Sequence, residues 1–149
     1  MNIRKLSVNE TPPLTLLLSA DPSSSHIHDY LSRGQCFVAD SNNTIAGVYV
    51  LLPTRPKVVE LVNIAVAEAM QGRGIGKLLV HDAINWARQQ GFRQIDVGTG
   101  NSSIGQLAFY QKCGFRIVGI DFDFFKDYEE EIIENGIICR DMIRLSLEL

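Results

Sequence analysis

Gln71-Gly72-Arg73-Gly74-Ile75-Gly76-Lys77 follows an apolar, strand-like run from Lys57 to Val66 and opens a helix-like one. Beyond the glycines, Ile75, Leu78, Leu79, Ala83, Trp86 and Ala87 recur at helical spacing until Gly91 ends the pattern. A strand, a glycine-rich turn and a helix start make a general anion site. The first helical N–H groups lack partners and carry about half a positive charge, and glycines let a phosphate approach the backbone. Two common owners of such a turn are excluded by counting. A Walker loop needs glycine five residues before the Gly-Lys pair and Ser or Thr after it; here Gln71 and Leu78 stand there. A dinucleotide fingerprint needs a third glycine three residues after Gly76, where Leu79 stands, and a βαβ opening.

Several antiparallel strands precede the turn instead. Ile3 to Val8 reads as a short strand, then Pro13 to Ala20 and Ser24 to Ser32 as helices, the second stopped by Gly34. Three strands follow: Gln35 to Ala39, Thr44 to Leu52 and Lys57 to Val66. Asp40 to Asn43 and Pro53 to Pro56 divide them with turn chemistry, which predicts antiparallel neighbours. The third is the most apolar, as suits a central strand. After the long helix, Arg93 to Gly98 is a strand. Ser103-Ile104-Gly105-Gln106 has the form of a capping box, opening a helix that runs to Cys113 before Gly114. Phe115 to Phe125 and Gly136 to Leu147 form the last pair of strands, with Asp121 and Asp123 on one face. The order β-α-α-β-β-β-α-β-α-β-β predicts one mixed sheet with helices on its faces, an α/β or α+β sandwich, in a single domain spanning 1–149.

The 149 residues are enough to bury about 68–70% of the unfolded surface without disulfide or metal. Hydrophobic residues at 46% and charged residues at 21% are ordinary for a soluble globular chain. A net charge of −3 argues against a nucleic-acid binder, which wants a basic face. Three cysteines, Cys36, Cys113 and Cys139, show no CxxC spacing, which fits packing residues in a reducing, cytoplasmic compartment. The apolar run Leu14 to Leu18 is too short to span a bilayer or to form a signal peptide, so no membrane association is expected. No metal-ligand spacing is visible.

The form Gln-x-x-Gly-x-Gly, after Ile64-Ala65-Val66 and before an amphipathic helix, resembles the coenzyme A signature of the GNAT superfamily of N-acetyltransferases. Phe109-Tyr110-Gln111-Lys112-Cys113-Gly114-Phe115 is similar to that family's second landmark, an aromatic-Tyr helix end followed by Gly-Phe. Both motifs and the order of elements cover roughly residues 44–120; the first 43 residues match in element order alone. The resemblance implies about seven mostly antiparallel strands, a splayed central parallel pair and about four helices. It implies that amides from Gln71, Gly72, Arg73, Gly74, Ile75 and Gly76, with Lys77 just inside the helix, bind the pyrophosphate of acetyl-CoA. The backbone of Ile64, Ala65 and Val66 would pair with the pantetheine arm. The family often adds an asparagine about seven residues before the tyrosine. That position is Ser103 here, with Asn101 two residues earlier, so both remain candidates for a cofactor contact or for helix capping.

Acyl transfer to an amine poses two proton problems. The amine must lose a proton before attack, and the departing thiolate benefits from an acid. By resemblance Tyr110 is the candidate acid, its hydroxyl near the thioester sulfur. Glu60 is the candidate base: it interrupts an apolar strand, where a charge is costly unless it lines a cleft. It also matches a glutamate six residues before the strand's final valine in the histone-acetylating branch. His81 and Asp82 read as a solvated helix face, and His26 and His28 as part of a helix that walls the acceptor site. Asp121, Asp123, Asp127, Glu129, Glu130, Glu131 and Glu134, against one Lys126, would form an acidic rim at the acceptor cleft. A small-molecule or peptide amine, cationic by that charge, is the expected partner. Phe122, Phe124, Phe125 and Tyr128 either wall that cleft or close the core. The alternative to an enzyme is a non-catalytic acyl-CoA sensor or partner-binding module. Exposed sheet edges are compatible with a homodimer.

Overall fold

The computed structural model describes residues 1–149. In chain order the elements are β1 (Asn2–Lys5), α1 (Leu14–Ala20), α2 (Ser24–Arg33), β2 (Gln35–Ser41), β3 (Thr44–Arg55) and β4 (Val58–Val66). A 3₁₀ turn at Glu68–Met70 leads into α3 (Ile75–Gln89), β5 (Gln94–Gly100), α4 (Ile104–Lys112) and β6 (Arg116–Asp121). The chain closes with β7 (Ile133–Glu134), β8 (Ile137–Ile138) and β9 (Met142–Glu148). Seven strands form one sheet in the order β1-β2-β3-β4-β5-β9-β6, and β7 pairs with β8 in a separate hairpin. Every neighbouring pair in the large sheet is antiparallel except β4 and β5. The expected class therefore holds: a mixed sheet with one central parallel pair and four helices. No helix is long and apolar enough to cross a membrane.

Strand periodicity divides the core between the two faces of the sheet. Phe37, Ala39, Tyr49 and Leu51 point to the face covered by α3 and α4, where they meet Leu79, Ala83 and Tyr110. Val38, Val48, Val50 and Leu52 point to the other face, against Leu17 of α1 and Ile27 and Tyr30 of α2. All residues from Ala46 to Leu52 are buried, as expected of a strand covered on both sides. Gly47 allows α3 to lie close, since a Cβ there would stand 2.9 Å from Leu79 Cδ1.

One irregularity decides where a cleft can open. Val50 pairs with Asn63 and Leu51 with Leu61, so Val62 is an extra residue in β4. The parallel register with β5 ends at Leu61 and Val97. A bulge bends its strand and disrupts the ladder. From Val62 onward β4 leaves β5, which continues to Gly100 beside β9. The implied splay is thus present, and its local cause is the bulge.

Several boundaries differ from the sequence expectation. Pro53 to Pro56 does not divide β3 from β4, because β3 runs on to Arg55. Proline is tolerated there because β2 has already ended at Gln35, opposite Leu51, and the register shifts between Pro53 and Arg55. Phe115 to Phe125 is not one strand. β6 stops at Asp121, and Asp123 takes a left-handed φ of 59°, so Asp121 and Asp123 do not share a face. Gly136 to Leu147 is likewise divided between the β7–β8 hairpin and β9. The capping box at Ser103 does not form: Ser103 makes no side-chain cap, and its hydroxyl donates to Glu134 Oε1 at 2.8 Å. Asp82 is more than a solvated group, since it accepts the buried Tyr49 hydroxyl at 2.6 Å.

Candidate active site

The glycine-rich turn is held against the end of β4. Ala67 N donates to Ala46 O at 2.8 Å, and Gln71 Nε2 donates back to Val66 O at 3.1 Å. Gly72 and Gly74 have φ of 78° and 79°, which only glycine adopts without strain. Gly74 caps α3 without a side-chain acceptor, leaving the first amides of α3 unclaimed by any side chain. A groove of about 630 Å³ runs beside this turn. Ile64, Ala65, Val66, Gln71, Gly72 and Gly76 line it together with Ser103, Gly105, Gln106 and Phe109. A Cβ on Gly76 would lie 3.5 Å from Phe109 Cζ, an ordinary van der Waals contact.

Other expected residues lie apart from this groove. Ile75 is 3% exposed and belongs to the core, while Arg73 and Lys77 extend from the turn toward solvent. Asn101 is engaged elsewhere. Its Oδ1 accepts from the backbone amides of Arg140 (2.8 Å) and Asp141 (3.0 Å), and its Nδ2 donates to Ile138 O (3.1 Å). It holds the β8–β9 connection, whereas Ser103 faces the groove.

A second cleft, of about 740 Å³, meets the groove at Ile64, Ser103, Gln106 and Glu134. Tyr110 and Glu60 both line it. Tyr110 is 5% exposed and lies between the rings of Phe109 and Phe115, at centroid distances of 5.4 and 5.9 Å. Burial pushes its phenol well above the ordinary tyrosine value, with the neighbouring Cys113 adding to the rise, so it keeps its proton at neutral pH. Glu60 is half-buried in β4, and burial raises its carboxyl above the usual range. Arg144, 3.6 Å from Glu60 Oε2, opposes that rise, while Asp96 and Asp121 reinforce it. Arg144 itself pairs with Asp121 at 2.6 Å and lies 5.5 Å over the Phe124 ring.

The opposite wall carries a hydrogen-bonded chain absent from the sequence expectation. Asn63 Nδ2 donates to Leu17 O (3.1 Å) and to the Tyr30 hydroxyl (2.8 Å). Tyr30 donates to Asp21 Oδ2 at 3.2 Å, and Tyr128 to Asp21 Oδ1 at 3.4 Å. His26 Nδ1 lies 3.2 Å from the Tyr128 hydroxyl. Asn63 Oδ1 is buried with no hydrogen-bond partner, a defect worth about 1–3 kcal/mol. Of the acidic rim, only Glu131 and Glu134 line the cleft; among the aromatics Phe124, Phe125 and Tyr128 do, while Phe122 is 76% exposed. Asn63 and Arg144 each interrupt an apolar strand, the same signal that singled out Glu60. Asp21 left no comparable mark, because its partners come from distant segments.

A splayed central pair, a glycine turn at a helix start and a buried tyrosine lining the adjoining cleft define an acyltransferase fold, and the comparisons agree. Residues 7–115 match the model of the acetyltransferase (GNAT) family, and the chain belongs to that family. The uncharacterized N-acetyltransferase YvbK of Bacillus subtilis (strain 168) is 56% identical to it, over 100% of both chains. A GNAT family acetyltransferase from Elizabethkingia anophelis, solved with acetyl-CoA bound, is 48% identical with a TM-score of 0.97, covering 99% of this chain and 97% of that one. A Bacillus subtilis acetyltransferase solved in complex with CoA is 55% identical with a TM-score of 0.92, covering 99% of each.

Proposed function

We propose that this chain, a single acetyltransferase domain over 1–149, moves an acetyl group from acetyl-CoA to a primary amine of a small molecule or peptide. The observation that carries the reading is the junction of two clefts. The groove along Ile64–Val66 and the glycine turn has the backbone-lined form a pyrophosphate and an extended arm require. It opens, at Ile64 and Ser103, into a separate cleft with acidic walls. Donor and acceptor can then be held together, and transfer needs no covalent enzyme intermediate.

The residues take their roles from position and charge. Glu60, directly or through a water, accepts the proton that the ammonium must lose. The freed amine attacks the thioester carbonyl; a C–N bond forms and the C–S bond breaks. Tyr110, protonated and without a protein partner for its hydroxyl, supplies a proton to the departing sulfur. Gln71, Gly72 and Gly76 line the pyrophosphate end, with Arg73 and Lys77 as flanking cations and Ser103 as the polar contact on α4. The negative walls favour a cationic acceptor.

The test is thiol release from acetyl-CoA across a panel of amines. Release that depends on an amine supports the assignment. Binding of acetyl-CoA with no turnover on any amine makes the chain a sensor instead, and failure to bind acetyl-CoA removes the donor assignment.

A further inference from the structure

The cleft contains two hydrogen-bond acceptors, Asp21 and Asn63 Oδ1, that pair directly with no arginine, lysine or histidine of the protein. Asp21 is the C-cap of α1, where the outgoing helix carbonyls already favour positive charge and a carboxylate runs against the usual preference. Both cleft arginines are committed elsewhere, Arg33 to Asp29 at 2.7 Å and Arg144 to Asp121 at 2.6 Å. Asp21 receives only neutral donors: the hydroxyls of Tyr30 and Tyr128, and Ser23 N at 3.0 Å.

A second, independent observation lies beside it. Asn63 is 4% exposed, lines the same cleft, and its Oδ1 has no partner. The amide cannot be turned to cure this. Its Nδ2 is bound to Leu17 O, which can only accept, and to the same Tyr30 hydroxyl that reaches Asp21. Asn63 Oδ1 lacks any donor, and Asp21, joined to the same amide through the Tyr30 hydroxyl, lacks a cationic one. The Tyr30 and Tyr128 hydroxyls hold the carboxylate from two elements, α2 and the segment after β6, so its position is set before any ligand arrives.

We infer that the acceptor carries a second cationic group, as an alkyl diamine does, and that Asp21 with Asn63 holds its distal ammonium while the reacting amine lies toward Glu60 and Tyr110. This rests on the acetyltransferase reading above and specifies its acceptor. The chemistry is that of an ammonium and not of a metal ion: one carboxylate and one amide oxygen offer few ligands to a metal, and no group of three or more metal-binding side chains occurs in the chain. An ammonium with three N–H donors suits both acceptors.

The experiment compares 1,4-diaminobutane with butylamine, matched in length and differing in the second charge. Wild type should show a higher kcat/KM for the diamine, and Asp21→Asn, which keeps the shape, removes the charge and leaves one oxygen to accept a tyrosine hydroxyl, should lower that preference about tenfold or more. Tyr128→Phe, which frees one side of the carboxylate, should lower it less, and serves as the second variant should Asp21→Asn fold poorly. In parallel, calorimetric titration of 1,4-diaminobutane into the CoA-loaded protein reads the site without turnover. No diamine preference in wild type, or a preference unchanged in Asp21→Asn, overturns the proposal. Diamine binding that depends on Asp21 without acetylation of either amine sinks the catalytic reading and leaves the cation site standing.

Discussion

In the proposed reaction Tyr110 and Glu60 would carry out two opposite tasks in one environment. Both groups are held above their ordinary pKa by burial, which keeps the phenol protonated and leaves the carboxylate a stronger base. Tyr110→Phe removes the proton and keeps the ring that packs against Phe115. It should lower kcat by about 10²–10⁴-fold with the KM for acetyl-CoA unchanged; equal losses in both would reduce Tyr110 to packing. For Glu60 the sign follows from its direction of shift. A base works only when deprotonated, so kcat/KM should rise with pH through a value above the ordinary carboxylate range. Glu60→Gln should flatten that acid limb. Arg144→Met should move the limb to higher pH, because the cation opposing the rise is gone. The amine's own titration is common to all three proteins, so differences between their pH profiles isolate Glu60. Stability gives the control. A carboxyl whose folded pKa is raised contributes stability that is full below its unfolded pKa and is lost as pH rises through the folded value. At neutral pH, therefore, Glu60→Gln should be no less stable than wild type by chemical denaturation.

The turn between β4 and α3 joins two demands on glycine that a pair of variants can separate. Gly74 stands at φ 79° with open space around it, so a methyl there meets backbone strain and no neighbour. Gly74→Ala should cost about 1–2 kcal/mol of folding stability. Gly76 has no such φ, and its Cβ would meet Phe109 Cζ at 3.5 Å, an ordinary contact, within the groove wall. Gly76→Ala should leave stability within about 0.5 kcal/mol. It should nevertheless weaken acetyl-CoA binding by about tenfold, near 1.4 kcal/mol, by occupying space the ligand needs. Calorimetric titration beside a denaturation curve checks both. A Gly76→Ala protein with normal acetyl-CoA affinity would move the ligand out of this groove.

Across the whole molecule, the bulge at Val62 converts a continuous sheet into one with a gap. β4 keeps β3 on one side to Val66, but its parallel partner ends at Leu61. Backbone groups of β4 beyond that point lack a strand partner on the side facing the gap, and an extended ligand arm can supply one. Acetyl-CoA should slow hydrogen exchange at some β4 amides between Val62 and Val66, with β1 and β2 unaffected. Exchange unchanged along β4 would mean that the arm does not pair there.

The donor half of the candidate site was legible in the chain because its chemistry is local. A turn of six residues, its glycines and the helix after it stand together in sequence, and the apolar periods on either side identify strand and helix without tertiary help. Element order and the centrality of β4 followed from the same local patterns. Glu60 and Tyr110 were marked by a charge inside an apolar strand and by an aromatic helix end. The acceptor half was legible only in part: Tyr128, Glu131, Glu134 and the helix carrying His26 were singled out, but not the contacts among the polar groups. Asp21, Tyr30, Asn63, Tyr128 and Arg144 come from α1, α2, β4, the segment after β6 and β9, and they meet only once the sheet has folded. The strand expected from Phe115 to Phe125 failed for a related reason: its alternation continues past Asp121, but a left-handed Asp123 ends the strand. Periodicity along the chain specified which face each strand buries. Which strands separate, and which distant polar groups line the opening, was decided by one extra residue in β4 and by packing across the sheet.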